Sequence, residues 1–422
     1  MEYFQLFFSN RRLLTFGILL TFFSGFGKTF LLSQYIPFLL QEFNLSNTGF
    51  SIIYALATIA SGICIIYIGK LIDSTELKKY AAMITFGLIG STLLLSFSPN
   101  IFFLFIAVFG LRLAGQGLMN HTCFTVMSRY FKRCRGKAIS IAILGQALSE
   151  AILPIAIVLL INFFGWRMAL VATAASMFLI LIPVIFSSLK KKPKVQEKFV
   201  EARKKKKNSV KEEWSTKKVL LGNQFYQLSG NIILLPFIST GLMFFLIPIA
   251  TFKNWTVEWI SLCFIGYAAA NLLSSFITGQ LIDKYRSTSL LPYYMLPYAL
   301  GIACILLFDG SWTAFAYLSL AGLSMGANLT IETGVIAEVY GLKSIGTVKS
   351  VFTTLTIMAS AFGPLAMGLM LDQGYSFDTL LLVSLILMSF VSLNSLRPVS
   401  KKHKRIKSLW AIPGVILYRK AY

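Results

Sequence analysis

Twelve stretches of roughly 20 mainly apolar residues limit the possible folds of this chain more than any other feature. A helix of that length crosses the hydrocarbon of a membrane, which is about 30 Å thick. Only 13% of the residues are charged and the mean hydropathy is +0.73, which excludes an ordinary soluble domain. The predicted spans lie near 13–36, 48–69, 80–98, 101–128, 137–161, 166–188, 230–252, 258–281, 288–308, 311–337, 345–371 and 379–396.

A five-residue block occurs twice in the chain. Gly-Lys-Leu-Ile-Asp at 69–73 returns as Gly-Gln-Leu-Ile-Asp at 279–283, 210 residues later. The same offset relates Tyr130, Gly136 and Pro154 to Tyr340, Gly346 and Pro364. This pattern indicates a duplicated half with six spans in each copy. The predicted domains are a first bundle at 1–189, a basic linker at 190–218, a second bundle at 219–396 and a basic tail at 397–422.

Positive charge is confined to one side of the predicted topology. Of the 39 Lys and Arg residues, 35 fall in the N-terminus, the linker, the tail and the loops of that side. Cytoplasmic loops keep such residues, so we expect a multi-pass protein of a bacterial cytoplasmic membrane with both termini in the cytoplasm. The net charge of +23 therefore requires no nucleic acid partner. The basic linker and tail are expected to contact anionic lipids.

Several kinds of site are absent from the sequence. The five cysteines form no CxxC pair, and no HExxH or Walker-type phosphate loop occurs. With only two histidines, a metal site is poorly supported. We therefore expect no cofactor, no enzymatic activity and a monomer.

Few ionisable side chains lie well inside the predicted spans, where a charge is costly unless it is paired or hydrated. Lys28 falls in the first span, Arg112 in the fourth, Glu150 in the fifth and Glu332 low in the tenth. At about 1.5 Å per residue from the basic ends of their spans, the first three lie within roughly 5 Å of one level. They predict a charged layer close to the middle of the membrane.

Polar side chains extend this layer along two helices at intervals of four residues. The fourth and fifth spans run antiparallel around the turn 129–137, so Arg112 and Glu150 are expected to pair directly or through Gln116. Such a pair is either a structural link or a substrate contact, and both interpretations stay open. The predicted substrate and coupling residues are Lys28, Arg112, Gln116, Asn120, Gln146 and Glu150.

A neutral Arg112–Glu150 pair would leave the layer with the charge of Lys28, and an anion would complement it. Alternatively, a buried lysine loses its proton and Lys28 carries the coupling proton. A structural role for Lys28 is the remaining interpretation. The sequence does not choose among these three.

Two six-span halves, a basic linker between them and G-x-L-x-D after the second and eighth spans resemble the major facilitator superfamily over essentially the whole chain. The resemblance implies an all-α membrane protein with twelve transmembrane helices in two pseudo-symmetric six-helix bundles. It also implies a central cavity and alternating access. Related transporters carry an arginine at the position of Arg112 that is linked to proton coupling. The first motif copy lacks the glycine that usually follows its aspartate.

A second resemblance concerns the fourth to sixth spans. The basic segment 129–138, followed by Gly145 and by Gly-Trp-Arg at 165–167, is similar to bacterial monocarboxylate and oxalate/formate porter-like transporters. That branch implies transport of small organic anions together with protons or in exchange for anions. Lys28 resembles a functional lysine of monocarboxylate transporters. Their Asp/Arg pair in the eighth span has no counterpart, because no charged residue occurs between Glu258 and Asp283.

The resulting prediction is a secondary active transporter for a monocarboxylate-like anion, coupled to protons. The alternative is a polyspecific drug or metabolite efflux antiporter of the same fold. The two motif copies are expected to tie loops to helix ends during the conformational change. Glu332 is expected either to form a gate pair with Lys349 on the cytoplasmic side or to take part in binding. The predicted conformational residues are Asp73, Asp283, Gly69, Gly279, Glu332 and Lys349.

Overall fold

The structure is a computed structural model that describes residues 2–131, 134–189, 216–341 and 345–396, and within these ranges it contains helices and turns but no strand. Most of the predicted linker and the whole predicted tail lie outside the described residues, as does the side chain of Asp283. The first helices are α1 (Glu2–Ser9), α2 (Arg11–Phe23), α3 (Thr29–Leu32), α4 (Ile36–Glu42), α5 (Asn47–Ile68), α6 (Leu77–Ser96), α7 (Ile101–Gly110), α8 (Asn120–Tyr130) and α9 (Arg135–Ser188).

The remaining helices follow from residue 216 onward. They are α10 (Thr216–Leu220), α11 (Asn223–Phe244), α12 (Leu246–Phe252), α13 (Val257–Lys284), α14 (Ser287–Leu290), α15 (Leu296–Leu307), α16 (Trp312–Tyr340), α17 (Ile345–Asp372) and α18 (Phe377–Asn394). Short 3₁₀ segments cover Ser24–Gly27 and Gly69–Asp73, and a π-helical segment, Leu111–Met119, joins α7 to α8.

Nine helical segments in the described ranges are long and apolar enough to cross a membrane. The longest of them, α9, holds two spans, because Gly165 has a φ of 77° that interrupts the helix. A broken first span (α2–α4) and the shorter α15 complete a path that is consistent with the twelve predicted crossings.

The chain forms two compact units. The first unit comprises the described residues of Met1–Val210, Leu242–Ile265 and Pro364–Asp372. The second comprises those of Lys211–Gly241, Gly266–Gly363 and Gln373–Tyr422. The first unit thus includes two segments that the sequence assigns to the second repeat.

The structure reveals a further pair of matching turns, which the repeated sequence block had not indicated. Asn44 and Asn254, which are 210 residues apart, both adopt a left-handed backbone, with φ values of 49° and 56°. Two residues later, Ser46 and Thr256 cap the next helix by accepting hydrogen bonds from the N–H three residues onward, at 3.0 and 3.2 Å. Asparagine tolerates the left-handed conformation better than most residues, which explains why it occupies both turns.

Polar contacts mark the two ends of the first unit. At one end, which we call the near face, Arg129 pairs with Asp73 beside the turn that joins α5 to α6. At the opposite end, the far face, Arg167 donates to the carbonyl of Ser96 at 2.6 Å and to Glu42 at 2.6 Å. Arg167 therefore links far-face turns of the first unit.

Candidate functional site

The first span breaks where its lysine lies. After the 3₁₀ segment Ser24–Gly27, Lys28 adopts an extended backbone (φ −91°, ψ 155°), and α3 begins at the next residue. The break removes the helical partner of the Gly27 carbonyl, because the N–H groups of Leu31 and Leu32 bond to Lys28 instead. A free carbonyl inside an apolar protein needs another donor.

Arg112 supplies that donor. Its Nη1 donates to the Gly27 carbonyl at 3.3 Å and to Thr29 Oγ1 at 3.4 Å, and its Nε donates to Thr58 Oγ1 at 3.1 Å. The guanidinium also lies over the ring of Tyr54, 4.9 Å from the centroid. Only 3% of Arg112 is exposed, so a buried cation is held by uncharged groups.

A second cation, Lys28, has a charged partner. Its Nζ lies 3.6 Å from Glu150 Oε1, and Gln146 donates to the same oxygen at 3.0 Å. The side chain of Glu150 is only 4% exposed. Glu150 therefore neutralises Lys28 in a buried ion pair that a third side chain supports.

The predicted pairing of Arg112 with Glu150 was therefore wrong. The sequence placed both residues at one level, but α2 and its 3₁₀ extension pack against both the fourth and the fifth spans. A Cβ added at Gly27 would overlap the backbone of Leu111 and Gln116, and one added at Gly25 would overlap the Ser149 hydroxyl. The first span thus brings its own lysine to Glu150.

The local backbone of the fourth span is unusual at the same level. Leu111–Met119 is π-helical, a rare conformation that is frequent at functional sites. Gly115 in this segment packs on Gly27, where an added Cβ would lie 2.7 Å from the Gly27 nitrogen. Glycine at both positions allows the broken first span to approach the segment that carries Arg112.

The other predicted polar residues occupy different positions around this site. Gln116 is exposed and does not connect Arg112 to Glu150. The Asn120 amide donates to the carbonyl of Gln116 at 2.9 Å. Gln146, in contrast, contacts the Lys28–Glu150 ion pair directly.

Three side chains that hold Arg112 were not identified from the sequence: Thr29, Tyr54 and Thr58. Tyr54 and Thr58 are four residues apart on α5 and therefore lie on one face of that helix. In the sequence, these two partners of Arg112 were indicated only by an aromatic ring and a hydroxyl four residues apart inside an apolar span. This signal was weak, because both residue types also occur often in ordinary helix packing.

The near-face residues of the first motif copy form the expected link. Asp73 pairs with Arg129 at the end of α8, and Arg129 Nη1 also donates to the carbonyl of Ile72 at 3.5 Å. Gly69 packs beneath His121, whose Cε1 would lie 3.5 Å from an added Cβ. The first copy therefore joins a loop to a neighbouring helix end.

The second motif copy has different surroundings. Among the described residues, nothing would lie within 4 Å of a Cβ at Gly279. Lys349 Nζ donates to Thr333 Oγ1 at 3.2 Å rather than to the adjacent Glu332. Glu338 instead accepts from the N–H groups of Ser287 and Thr288, at 2.7 and 3.2 Å. The predicted gate pair between Glu332 and Lys349 is not formed in this structure.

Buried tyrosine hydroxyls make hydrogen bonds inside the second repeat. The Tyr298 and Tyr317 hydroxyls lie 3.1 Å apart and both side chains are fully buried. Tyr294 donates to the carbonyl of Asn231 at 2.7 Å. Among the described residues of the whole chain, no group of three His, Cys, Asp or Glu side chains is placed to hold a metal ion.

Comparison with known proteins places this architecture in a family. The model of the Major Facilitator Superfamily matches residues 17–256 and 231–416. The chain belongs to the major facilitator superfamily. As a member, it is a multi-pass membrane transporter and not an enzyme, and a small-molecule substrate is expected.

Individual relatives of this major facilitator protein are distant in sequence. It is 23% identical over 412 residues to the MFS-type transporter YcxA of Bacillus subtilis (strain 168), a match that covers 94% of this chain and 98% of that protein. Two structures of a bacterial homologue of the human lysosomal transporter Spinster, both inward-facing, cover 92% of this chain and 95% of theirs. The unoccupied form gives a TM-score of 0.64 at 14% identity and the occupied form 0.63 at 15%. These likenesses show the major facilitator fold.

Proposed function

We propose that this protein is a secondary active transporter that moves a small, monocarboxylate-like organic anion by alternating access. The observation that carries the proposal is the environment of Arg112, a buried cation whose partners are all uncharged. Lys28 and Glu150 neutralise each other nearby, so these three residues carry a formal charge of +1. An anion is the substrate that complements this charge.

The free donors of Arg112 support a carboxylate as the bound group. A guanidinium has five N–H groups in a planar fork that matches carboxylate geometry. Within the described part of the chain, the hydrogen bonds of Arg112 use Nε and Nη1, and no residue accepts from Nη2. The Nη2 edge is therefore the donor we assign to the substrate. Gln116 and Asn120, on the same span, are proposed to contact the rest of the anion.

We further propose that the Lys28–Glu150 pair is the proton-coupling group. Protonation of Glu150 removes the charge that stabilises the Lys28 ammonium, and loss of the Lys28 proton leaves Glu150 without a counter-ion. Either event changes the contact between the first and fifth spans. Gln146 contributes because its amide donates to the shared Glu150 oxygen.

The proposal also covers the orientation of the protein in the membrane and the residues that take part in the conformational change. We assign the near face, with the basic turn 129–137, to the cytoplasm of a bacterial cell. The two motif copies are the proposed conformational elements, together with Glu332 and Lys349. Their residues are Gly69 and Asp73 in the first copy and Gly279 and Asp283 in the second. The likeness of segment 129–167 to monocarboxylate and oxalate/formate porters supports an anionic substrate.

Counterflow in proteoliposomes tests the proposal. The purified protein is reconstituted, and entry of radiolabelled formate, L-lactate, pyruvate and oxalate is measured with and without an inward proton gradient. Transport of at least one anion is expected, and Arg112→Met should reduce it by about 100-fold, as for loss of a charged hydrogen-bond donor. Arg12→Met, which removes an exposed arginine, is the control and should leave transport unchanged.

Two results would contradict the proposal. One is full anion transport by Arg112→Met protein that folds normally. The other is accumulation of the cationic dye ethidium with no transport of any anion in the panel, which is the result that the efflux alternative predicts. Stimulation by the proton gradient in the parent, and its loss in Glu150→Gln, would support the coupling assignment.

A further inference from the structure

The ring of Tyr54 belongs to two groups of contacts at once. One face carries the Arg112 guanidinium, 4.9 Å from the centroid, and the hydroxyl lies 2.7 Å from Thr29 Oγ1. The same ring meets Phe244 edge to face, with centroids 5.0 Å apart. Tyr54 is fully buried, so one ring inside the protein makes both sets of contacts.

Phe244 is part of a seal at the far face of the first unit. Its ring also stacks on Phe50 at 5.6 Å, and the ring of Phe30 packs on Phe264 at 5.6 Å. Further contacts closer to the helix ends join Gln34 to Ser261 at 3.4 Å, and Asp372 to the Thr48 N–H at 2.8 Å. We call these contacts the far seal. It must open whenever the Arg112 site is exposed to the far side.

We propose that Tyr54 is a positioning residue that couples the charge state of the Arg112 site to the far seal. A cation is attracted to a ring face by the ring quadrupole. When an anion takes up the guanidinium charge, this attraction weakens and the ring is less firmly held against Phe244. The far seal then opens more readily in the loaded transporter than in the empty one.

The second repeat provides a matched control. Phe264 lies 210 residues after Tyr54, is fully buried and also packs in the far seal, against Phe30. The cation–π contact that Arg112 makes with a described residue is with the ring of Tyr54 and not with that of Phe264. Phe264→Leu should therefore weaken the seal to a similar extent without affecting its response to Arg112.

Thiol labelling of the purified full-length protein in detergent tests the coupling without any transported substrate. The five native cysteines are replaced by serine, and Ser261→Cys, at a fully buried position, reports opening of the seal by its rate of reaction with a hydrophilic maleimide. Arg112→Met, which mimics complete loss of the guanidinium charge, should raise this rate about threefold to tenfold. The same increase is expected in the Phe264→Leu background.

In the Tyr54→Leu background the labelling rate should already be high, and Arg112→Met should change it less than about 1.5-fold, because the connecting ring is gone. Equal acceleration in the Tyr54→Leu and Phe264→Leu backgrounds would overturn the proposal. Tyr54→Phe keeps the ring and removes only the hydroxyl. If Tyr54→Leu fails to fold, Arg112→Met must still accelerate labelling in Tyr54→Phe, and no acceleration there would overturn the proposal.

The labelling experiment does not depend on knowing the transported substrate, so it tests the coupling separately from the proposed function. If no anion is transported but Tyr54 is required for the response to Arg112, the coupling stands and the proposed function fails. If anions are transported but the response persists without the ring, the proposed function stands and the coupling fails.

Discussion

The two repeats share a chain path but differ in the chemistry of their interiors. Both form the same asparagine turn and the same helix cap at matching positions. Only the first repeat carries charges at its middle: the positions 210 residues after Lys28, Arg112 and Glu150 hold Ile238, Gly322 and Ser360. Duplication therefore preserved the turns that set helix direction, whereas the charged layer belongs to one copy.

Packing explains part of this difference. A Cβ at Gly322 would overlap the carbonyl oxygen of Tyr267, so no larger side chain fits where the first repeat has Arg112. The second repeat places uncharged hydroxyl groups inside, as in the pair of Tyr298 and Tyr317. The first repeat thus buries charged side chains, whereas the second has close helix contacts and buried hydroxyls.

The largest expected effect is on the ion pair of the first repeat. Glu150→Gln leaves the Lys28 ammonium buried without its carboxylate, which should lower the free energy of unfolding by about 3–5 kcal/mol. Thermal unfolding of the detergent-purified protein measures this. Ser360→Ala, at the matching position, removes one hydrogen bond and should cost about 1 kcal/mol. Equal losses in the two variants would show that the repeats do not differ electrostatically at this level.

The next prediction places a charge in the uncharged repeat. Ile238 is fully buried, and Ile238→Lys should destabilise the protein by about 3 kcal/mol. Gly363 packs on the carbonyl of Phe237, so the two helices approach each other closely here. Adding Ser360→Glu to Ile238→Lys should therefore recover part of the loss. If the double variant unfolds at a lower temperature than Ile238→Lys alone, the matching of positions between the repeats is wrong.

A smaller effect tests what the repeats share. Asn44→Ala and Asn254→Ala each force alanine into a left-handed conformation and should each cost about 1–2 kcal/mol. Replacement by glycine, which adopts this conformation freely, should cost less at both positions. Chemical or thermal unfolding of the four variants provides the comparison. A cost at only one of the two positions would contradict a conserved turn.

The smallest effect concerns the near face. Arg129→Val introduces the residue that the second repeat has at the matching position, Val339, and removes the ion pair with the partly exposed Asp73. An ion pair of this kind contributes about 1 kcal/mol or less, so little stability should be lost. Transport rates, rather than stability, should show whether the pair takes part in the conformational change. Unchanged transport would assign Arg129 a purely structural role.

The sequence predicted the broad features because they depend on local properties. Apolar length predicted the spans, and the repeated 69–73 block predicted the duplication. The level of Lys28, Arg112 and Glu150 followed from counting residues along helices. The contacts among these residues could not be predicted in this way. The prediction paired Arg112 with Glu150 and identified neither Tyr54 nor Thr58 as a partner of Arg112.

The sequence by itself determined that the chain enters a membrane as helices and which three ionisable residues lie near its middle. Both conclusions need only the length and polarity of continuous segments. Only the tertiary structure decided that Lys28 pairs with Glu150 and that the described partners of Arg112 are uncharged. That choice depends on a break in the first span and on glycine contacts at Gly25, Gly27 and Gly115, which place one helix against two others. Contacts between helices arise from packing in three dimensions, and residue spacing along one helix does not contain them.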